Sequence, residues 1–340
     1  MNLSKLILSM FQHGFKARYT TAYFVLIGKK TSSVLTYMQC YGLRGYYGLL
    51  PQLDREQYDS LIDHFVQQQW LERHSFWVKL TAQGRQQVAE DRSAVFDELD
   101  GWLYHKAIQS LWPTFIFTNQ VISEWSHHEK CYRPIESNVL LQRQLKQRLY
   151  HLRSEQHWVK DYAVELLRFL DTLPAQQAQI LSEQLVGHQE SGQTMEQLAR
   201  QMELTVLDIH IQTQLGMQRL IQAVRSGKYP LLAHFYPLPP LLSKPAQFVF
   251  QLVQSNILSI ETIRQHLHKR PGTIMDYLIE IALTYPTQFP FDYYIGQWEP
   301  QLEEKALSEP NIGAWSYKEM EAAIPFEAFR FYQLKKGLEQ

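Results

Sequence analysis

The chain has 340 residues, 45% of them hydrophobic and 20% charged, with 33 Lys and Arg against 34 Asp and Glu. That length suits two or three compact units, and the balance of apolar and charged residues excludes intrinsic disorder and collagen-like or low-complexity character. Two cysteines, Cys40 and Cys131, are too few for a disulfide framework or a four-thiolate zinc site and point to a reducing, cytoplasmic setting. Apolar stretches are helix- or strand-sized, so no membrane span and no membrane partner is expected. The opening MNLSKLILSMFQHGF reads as a first helix, with Leu3, Leu6, Ile7 and Met10 on one stripe, and not as a signal peptide.

A net charge of −1 conceals a gradient: residues 1–90 carry 10 basic against 6 acidic groups, and residues 286–340 carry 5 against 9. No acid precedes Asp54, while Lys5, Lys16, Arg18, Lys29, Lys30 and Arg44 all do. Such a run either faces a polyanion or is an ordinary solvated surface.

Helical periodicity dominates, and the expected fold is mainly α. The domains read as a winged-helix-like N-terminal domain with a small β-hairpin (1–91), a helical middle (92–228), a proline-rich linker (229–246) and a C-terminal helix-turn-helix domain (247–340). In the first domain, Asp54-x-x-Gln57 opens a helix that carries Tyr58, Leu61, Ile62 and Phe65 on one face and runs to about Gln69. Strands are expected around Trp70–Arg73 and Phe76–Leu80 with His74-Ser75 as the turn, and Thr81 then caps a further helix. Helix, strand, turn, strand, helix is the order of a winged helix, with Arg73 and Lys79 flanking the wing. The same wing would serve equally to pack a protein partner, with Trp70, Phe76 and Trp77 as core or interface.

The middle region contains a degenerate helix-turn-helix at 194–221, opened by Thr194 and Gln197 in capping-box spacing, with Leu198, Ala199, Leu204 and Ile209 as its apolar set. Glu203 occupies the turn where glycine would be more comfortable, and Asp208, His210 and Gln212 offer no basic surface. Five prolines between Pro230 and Pro245 place a linker there. Residues 259–283, SIETIRQHLHKRPGTIMDYLIEIAL, pair two amphipathic helices faced by Ile260, Ile263 and Leu267 and by Ile274, Leu278 and Ile281. The break falls at His268–Gly272. Lys269, Arg270 and Thr273 stand at the start of the second helix, where free amides and the helix dipole attract phosphate, whereas Asp276 and Glu280 on that helix would repel it.

This last segment resembles the helix-turn-helix at the C-terminal end of RecQ-type helicases. The stretch from Arg18 through Val88, together with residues 241–335, is similar to the YpbB family of Firmicutes. The resemblance implies a protein that lacks a helicase motor and works beside a RecQ-type helicase in replication or repair. The turn His268-Lys269-Arg270-Pro271-Gly272 keeps two charges and adds a proline to the helicase pattern.

Catalytic signatures are wanting. Gly28-Lys29-Lys30-Thr31 has Tyr23 where a phosphate loop needs its first glycine, and no Gly-x-Ser-x-Gly, His-Glu-x-x-His or dinucleotide fingerprint occurs. His127, His128 and Cys131 share a helical turn but are too few for a zinc site, so neither metal nor cofactor is expected. The expectation is a non-catalytic DNA-binding protein whose phosphate contacts are Lys16, Arg18, Lys29, Lys30, Arg44 and Lys79, with Lys269, Arg270 and Thr273 as a second site. The alternatives are a protein-only adaptor and, further off, a transcription regulator, for which Gln57, Gln67, Gln68 and Gln69 are the nearest base-reading set.

Overall fold

A computed structural model describes residues 1–88, 93–320 and 323–339. In chain order these form α1 (Leu3–Ser9), β1 (Ala17–Arg18), α2 (Tyr19–Leu26), α3 (Ser32–Cys40), α4 (Arg55–Gln67), β2 (Leu71–His74), β3 (Trp77–Leu80), α5 (Ala82–Gln87), α6 (Ser93–Glu98) and α7 (Gly101–Ser126). There follow α8 (Val139–Leu152), α9 (Trp158–Leu170), α10 (Ala175–Glu183), α11 (Met195–Gln201), α12 (Val206–Arg225) and α13 (Pro230–Phe235). The last set is α14 (Lys244–Gln254), α15 (Ile260–Leu267), α16 (Pro271–Thr284), α17 (Phe291–Ile295), α18 (Glu299–Ser308) and α19 (Phe326–Leu338). The fold is mainly helical with one small antiparallel sheet.

Two compact units arise: one break falls at Pro239–Pro240, inside the expected proline-rich linker, but the N- and C-terminal segments expected as separate domains form a single unit. One joins Ser4–Leu103 to Pro240–Gln340; the other holds Tyr104–Pro239 with Met1–Leu3. The boundary anticipated at residues 91 and 92 lies outside the described residues.

In the discontinuous unit, α4 starts where its cap requires: the Asp54 carboxylate accepts from the Gln57 amide at 2.9 Å, meeting one of the helix's free donors. Tyr58, Ile62 and Phe65 are then fully buried. The hairpin pairs Leu71 with Leu80 and His74 with Trp77, so its turn falls on Ser75 and Phe76, one residue later than expected. Ser75 absorbs the reversal in the left-handed region at φ 57°. Thr81 caps α5 through the Gly84 amide at 2.9 Å.

A third strand, β1, pairs with β3 to give the order β1-β3-β2; at two residues it is too short to leave a period in the sequence. Ala17, Leu71, Val78 and Leu80 are buried on one face of the sheet, which leaves the opposite face outward.

The C-terminal helices of this unit follow their sequence pattern. The break after α15 is made by His268 at φ 52°, and Pro271 starts α16, where its missing N–H is no loss. Ile263, Ile274, Leu278 and Ile281 are completely buried. Segments expected to be separate domains pack directly: Gln39 on α3 donates to the Gly337 carbonyl on α19 at 2.7 Å. A Cβ on Gly337 would stand 2.8 Å from the Gln39 carbonyl oxygen, so this approach needs glycine.

The continuous unit has a core built from Phe115, Trp158, Tyr162, Phe169, Phe235 and Tyr236. The buried phenols satisfy each other: Tyr162 and Tyr236 share a hydrogen bond of 2.5 Å, and Tyr162 donates to Asn119 at 3.1 Å. The first half of the expected proline linker belongs to this core, because Pro230 begins a helix whose Leu232 and Phe235 are fully buried. Thr194 and Gln197 form the capping box of α11, and Thr205 and Asp208 form a second one on α12. Asp208 is therefore engaged at a helix start instead of being offered to solvent. Glu203, between the two helices, is left-handed at φ 55°.

Helix α7 stops at Ser126 and His128 has φ 58°, so His127, His128 and Cys131 do not share a helical turn. No helix among the described residues is long and apolar enough to cross a membrane.

Candidate nucleic-acid interface

The sheet's outward face gathers part of the expected cation set. Across the ladder Arg18 lies opposite Trp77, with its guanidinium carbon 5.0 Å from the ring centroid. Lys79, two residues along β3, is exposed on the same face opposite Glu72. Lys16 is exposed immediately before β1, and its carbonyl is fixed by the Tyr41 hydroxyl and the Asn311 amide, each at 3.0 Å. No ion pair engages Arg18, Lys79 or Lys16 among the described residues. Phe76 at the hairpin tip is 62% exposed. Trp77 and Phe76 place apolar rings among these cations.

Of the other expected cations, Lys30, Arg44 and Arg73 are each held by a carboxylate, whereas Lys29 is exposed and has no ion pair among the described residues. Lys30 is bound by the Glu280 carboxylate at 2.6 Å, and Glu280, nearly fully buried, also accepts from the Ser243 amide at 2.7 Å and its hydroxyl at 2.8 Å. Glu280, expected to repel phosphate from α16, instead faces inward and neutralises Lys30. Arg44 is bound by Asp100 at 2.6 Å and further donates to Gln39 and to the Leu283 carbonyl. Lys29 stands 4.0 Å over the Phe24 ring. Arg73 is not a free flank of the wing, because Asp63 of α4 binds it.

Helix α4, which precedes the wing, carries Glu56, Asp59 and Asp63, and Asp59 holds Arg55 at 2.7 Å. That is a poor surface for a phosphate backbone. Gln57 and Gln67 are exposed on it, while Gln68 and Gln69 lie past its end.

At the second site, Lys269 and Arg270 are exposed and Thr273 is half-buried, all within the first turn of α16 or just before it. Arg270 is the residue before Pro271 and has extended backbone at the helix start. Asp276 remains exposed one turn further on. A cleft of about 640 Å³ opens beside this turn, lined by Tyr293, Trp298 and Phe326 with Glu261 and Glu327.

Two further groups bear on chemistry. Burial pushes the Cys40 thiol up to about 12, so it stays protonated and is no nucleophile at neutral pH. Burial likewise draws His13 down to about 4. Among the described residues no group of three or more His, Cys, Asp or Glu is placed to hold a metal ion. No family model, curated protein or solved structure matches the chain.

Proposed function

We propose that the protein is a non-catalytic nucleic-acid-binding accessory factor that contacts DNA through the outward face of its wing. The observation that carries this reading is the grouping of Arg18 and Lys79 around Trp77, without ion pairs, beside Lys16 and the exposed Phe76. Cations in that setting bind phosphate and release its counterions, and the rings offer surfaces for bases or sugars. Lys269, Arg270 and Thr273 form a second contact of the same kind at the start of α16. The resemblance to YpbB-type proteins supplies the setting, with a RecQ-type helicase as working partner.

The test is a salt titration. The double variant Arg18→Gln, Lys79→Gln should weaken binding to unrelated labelled duplexes alike and flatten the log–log salt slope by about two units. An unchanged slope overturns this interface. Recovery of the helicase with tagged protein after nuclease treatment tests the partner separately.

A protein-only adaptor is the second reading, favoured by the carboxylates of α4 and by the aromatic, acidic cleft beside α16. It is the conclusion if DNA binding is absent across the whole salt series.

A further inference from the structure

We propose that the exposed side of α8, in the continuous unit, is a second nucleic-acid interface that takes single strands. The ligand class rests on the reading given above, but the site is separate and its evidence is independent.

Between Glu136 and Glu155 the chain has Arg143, Lys146, Arg148, His151 and Arg153 and no acid. A 3.6-residue period puts Val139, Arg143, Lys146, Tyr150 and Arg153 on one stripe, because they are spaced four, three, four and three residues apart. The structure exposes every one of them. Gln144, Gln147 and His151 form the adjacent stripe and are exposed too, whereas Leu145, Leu149 and Leu152 are buried on the far side.

Arg143, Lys146 and Arg153 take part in no ion pair among the described residues, in contrast to Lys30 and Arg44. Arg148 is different: it is half-buried, donates to the Phe235 carbonyl at 2.9 Å and serves to seat the helix. Tyr150 is 57% exposed, and the Arg153 guanidinium carbon lies 3.8 Å from its ring centroid.

Three matched alternatives fare worse. A lipid surface needs a continuous apolar side on a basic helix, and here Leu145, Leu149 and Leu152 are buried in the core, which leaves only Ile135, Val139 and Leu140 exposed at the helix's start. A purely solvated face has no use for an exposed tyrosine with a stacked arginine, and in a helix of ordinary composition carboxylates would intersperse the cations. An acidic polypeptide would satisfy the charges but not the ring. An unpaired polynucleotide satisfies both, with phosphates on the cation stripe and a base on the Tyr150–Arg153 stack.

The experiment uses the full chain and fluorescein-labelled oligothymidylate over a salt series. The triple variant Arg143→Gln, Lys146→Gln, Arg153→Gln should flatten the log–log slope by about two units, at ~0.7 per lost contact. Tyr150→Ala should weaken binding by about tenfold or more while altering the slope little. Unchanged slope and affinity in these variants overturn the proposal. So does binding of polyglutamate as tight as that of the oligonucleotide, or preference for a duplex of the same length.

Ultraviolet crosslinking of the unaltered chain provides a measurement that does not depend on any variant folding. Label should appear within 139–153, and its absence there counts against the site. The wing double variant separates the two readings. If it alone weakens binding, this interface falls and the wing stands; if the α8 variants alone do so, the wing reading falls.

Discussion

The basic residues of the N-terminal segment and those of α8 look alike in sequence and differ in the folded chain. Lys30 and Arg44 precede every acid in the sequence, yet each is bound by a carboxylate, Glu280 and Asp100, at 2.6 Å. Arg143, Lys146 and Arg153 have acids nearer in sequence and keep their charge free among the described residues. The lesson is that local absence of acids does not make a positive surface. In the first case the neutralising groups come from other elements of the same unit, and the cations become structural. In the second, the far side of the helix supplies the packing and the near side is left to solvent.

This contrast is open to direct attack, beginning with its largest expected effect. Glu280→Ala should destabilise the discontinuous unit by about 2–4 kcal/mol, chiefly because it leaves the Ser243 amide and hydroxyl without their acceptor, while the exposed Lys30 is rehydrated. Arg143→Ala, by comparison, should change stability by no more than ~0.5 kcal/mol. Denaturant melts of the two variants check the pair, and equal losses would erase the distinction.

A smaller effect is expected from pH. His13 is neutral when folded, with its value drawn from 6.5 down to about 4 by burial, so the unfolded chain binds the proton more readily. Stability should be flat above pH 6.5, fall as the pH drops toward 4, and level out below, by up to ~3 kcal/mol from this residue. In His13→Gln that part of the acid sensitivity should vanish, which thermal melts between pH 7 and 4 will show. Its persistence would assign the sensitivity to other groups.

The smallest effect tests the unit that bears the α8 stripe. Glu203 holds φ 55° without a glycine's freedom, so Glu203→Gly should stabilise by ~0.5–1 kcal/mol and raise the melting temperature. A fall in the melting temperature would mean that the carboxylate contributes more there than the backbone conformation costs.

What was legible in the sequence was local. Asp54, Thr81 and Thr194 announce helix starts because a cap and its amide are three residues apart, and each of these bonds is present. The buried faces of α4 and α16 follow from spacing alone. The hairpin was legible to within one residue, its turn displaced because Ser75 takes the left-handed position. Strand β1 was hidden by its length. The fate of the cations was hidden for a different reason: pairing of Arg44 with Asp100 spans 56 positions, and no pattern along the chain encodes which distant acid folds over which base. The stripe on α8 left a signal, an acid-free run with cations at helical spacing, but it was overshadowed by the stronger run at the N-terminus. The proline cluster did mark the passage between the two units at Pro239–Pro240, but its first member, Pro230, is a helix starter, and only its surroundings distinguish that role from a breaker.

The close seating of α19 on α3 has a consequence for how the molecule is made. Residues 4–103 leave the ribosome before residues 240–340, so Gln39 finds its acceptor at Gly337 and Lys30 its counter-charge at Glu280 only after the intervening 104–239 have been made. The intervening 104–239 can mature as a self-contained body in the meantime. The nascent N-terminal segment must therefore wait with apolar surface uncovered, the stage at which a chaperone has most to protect.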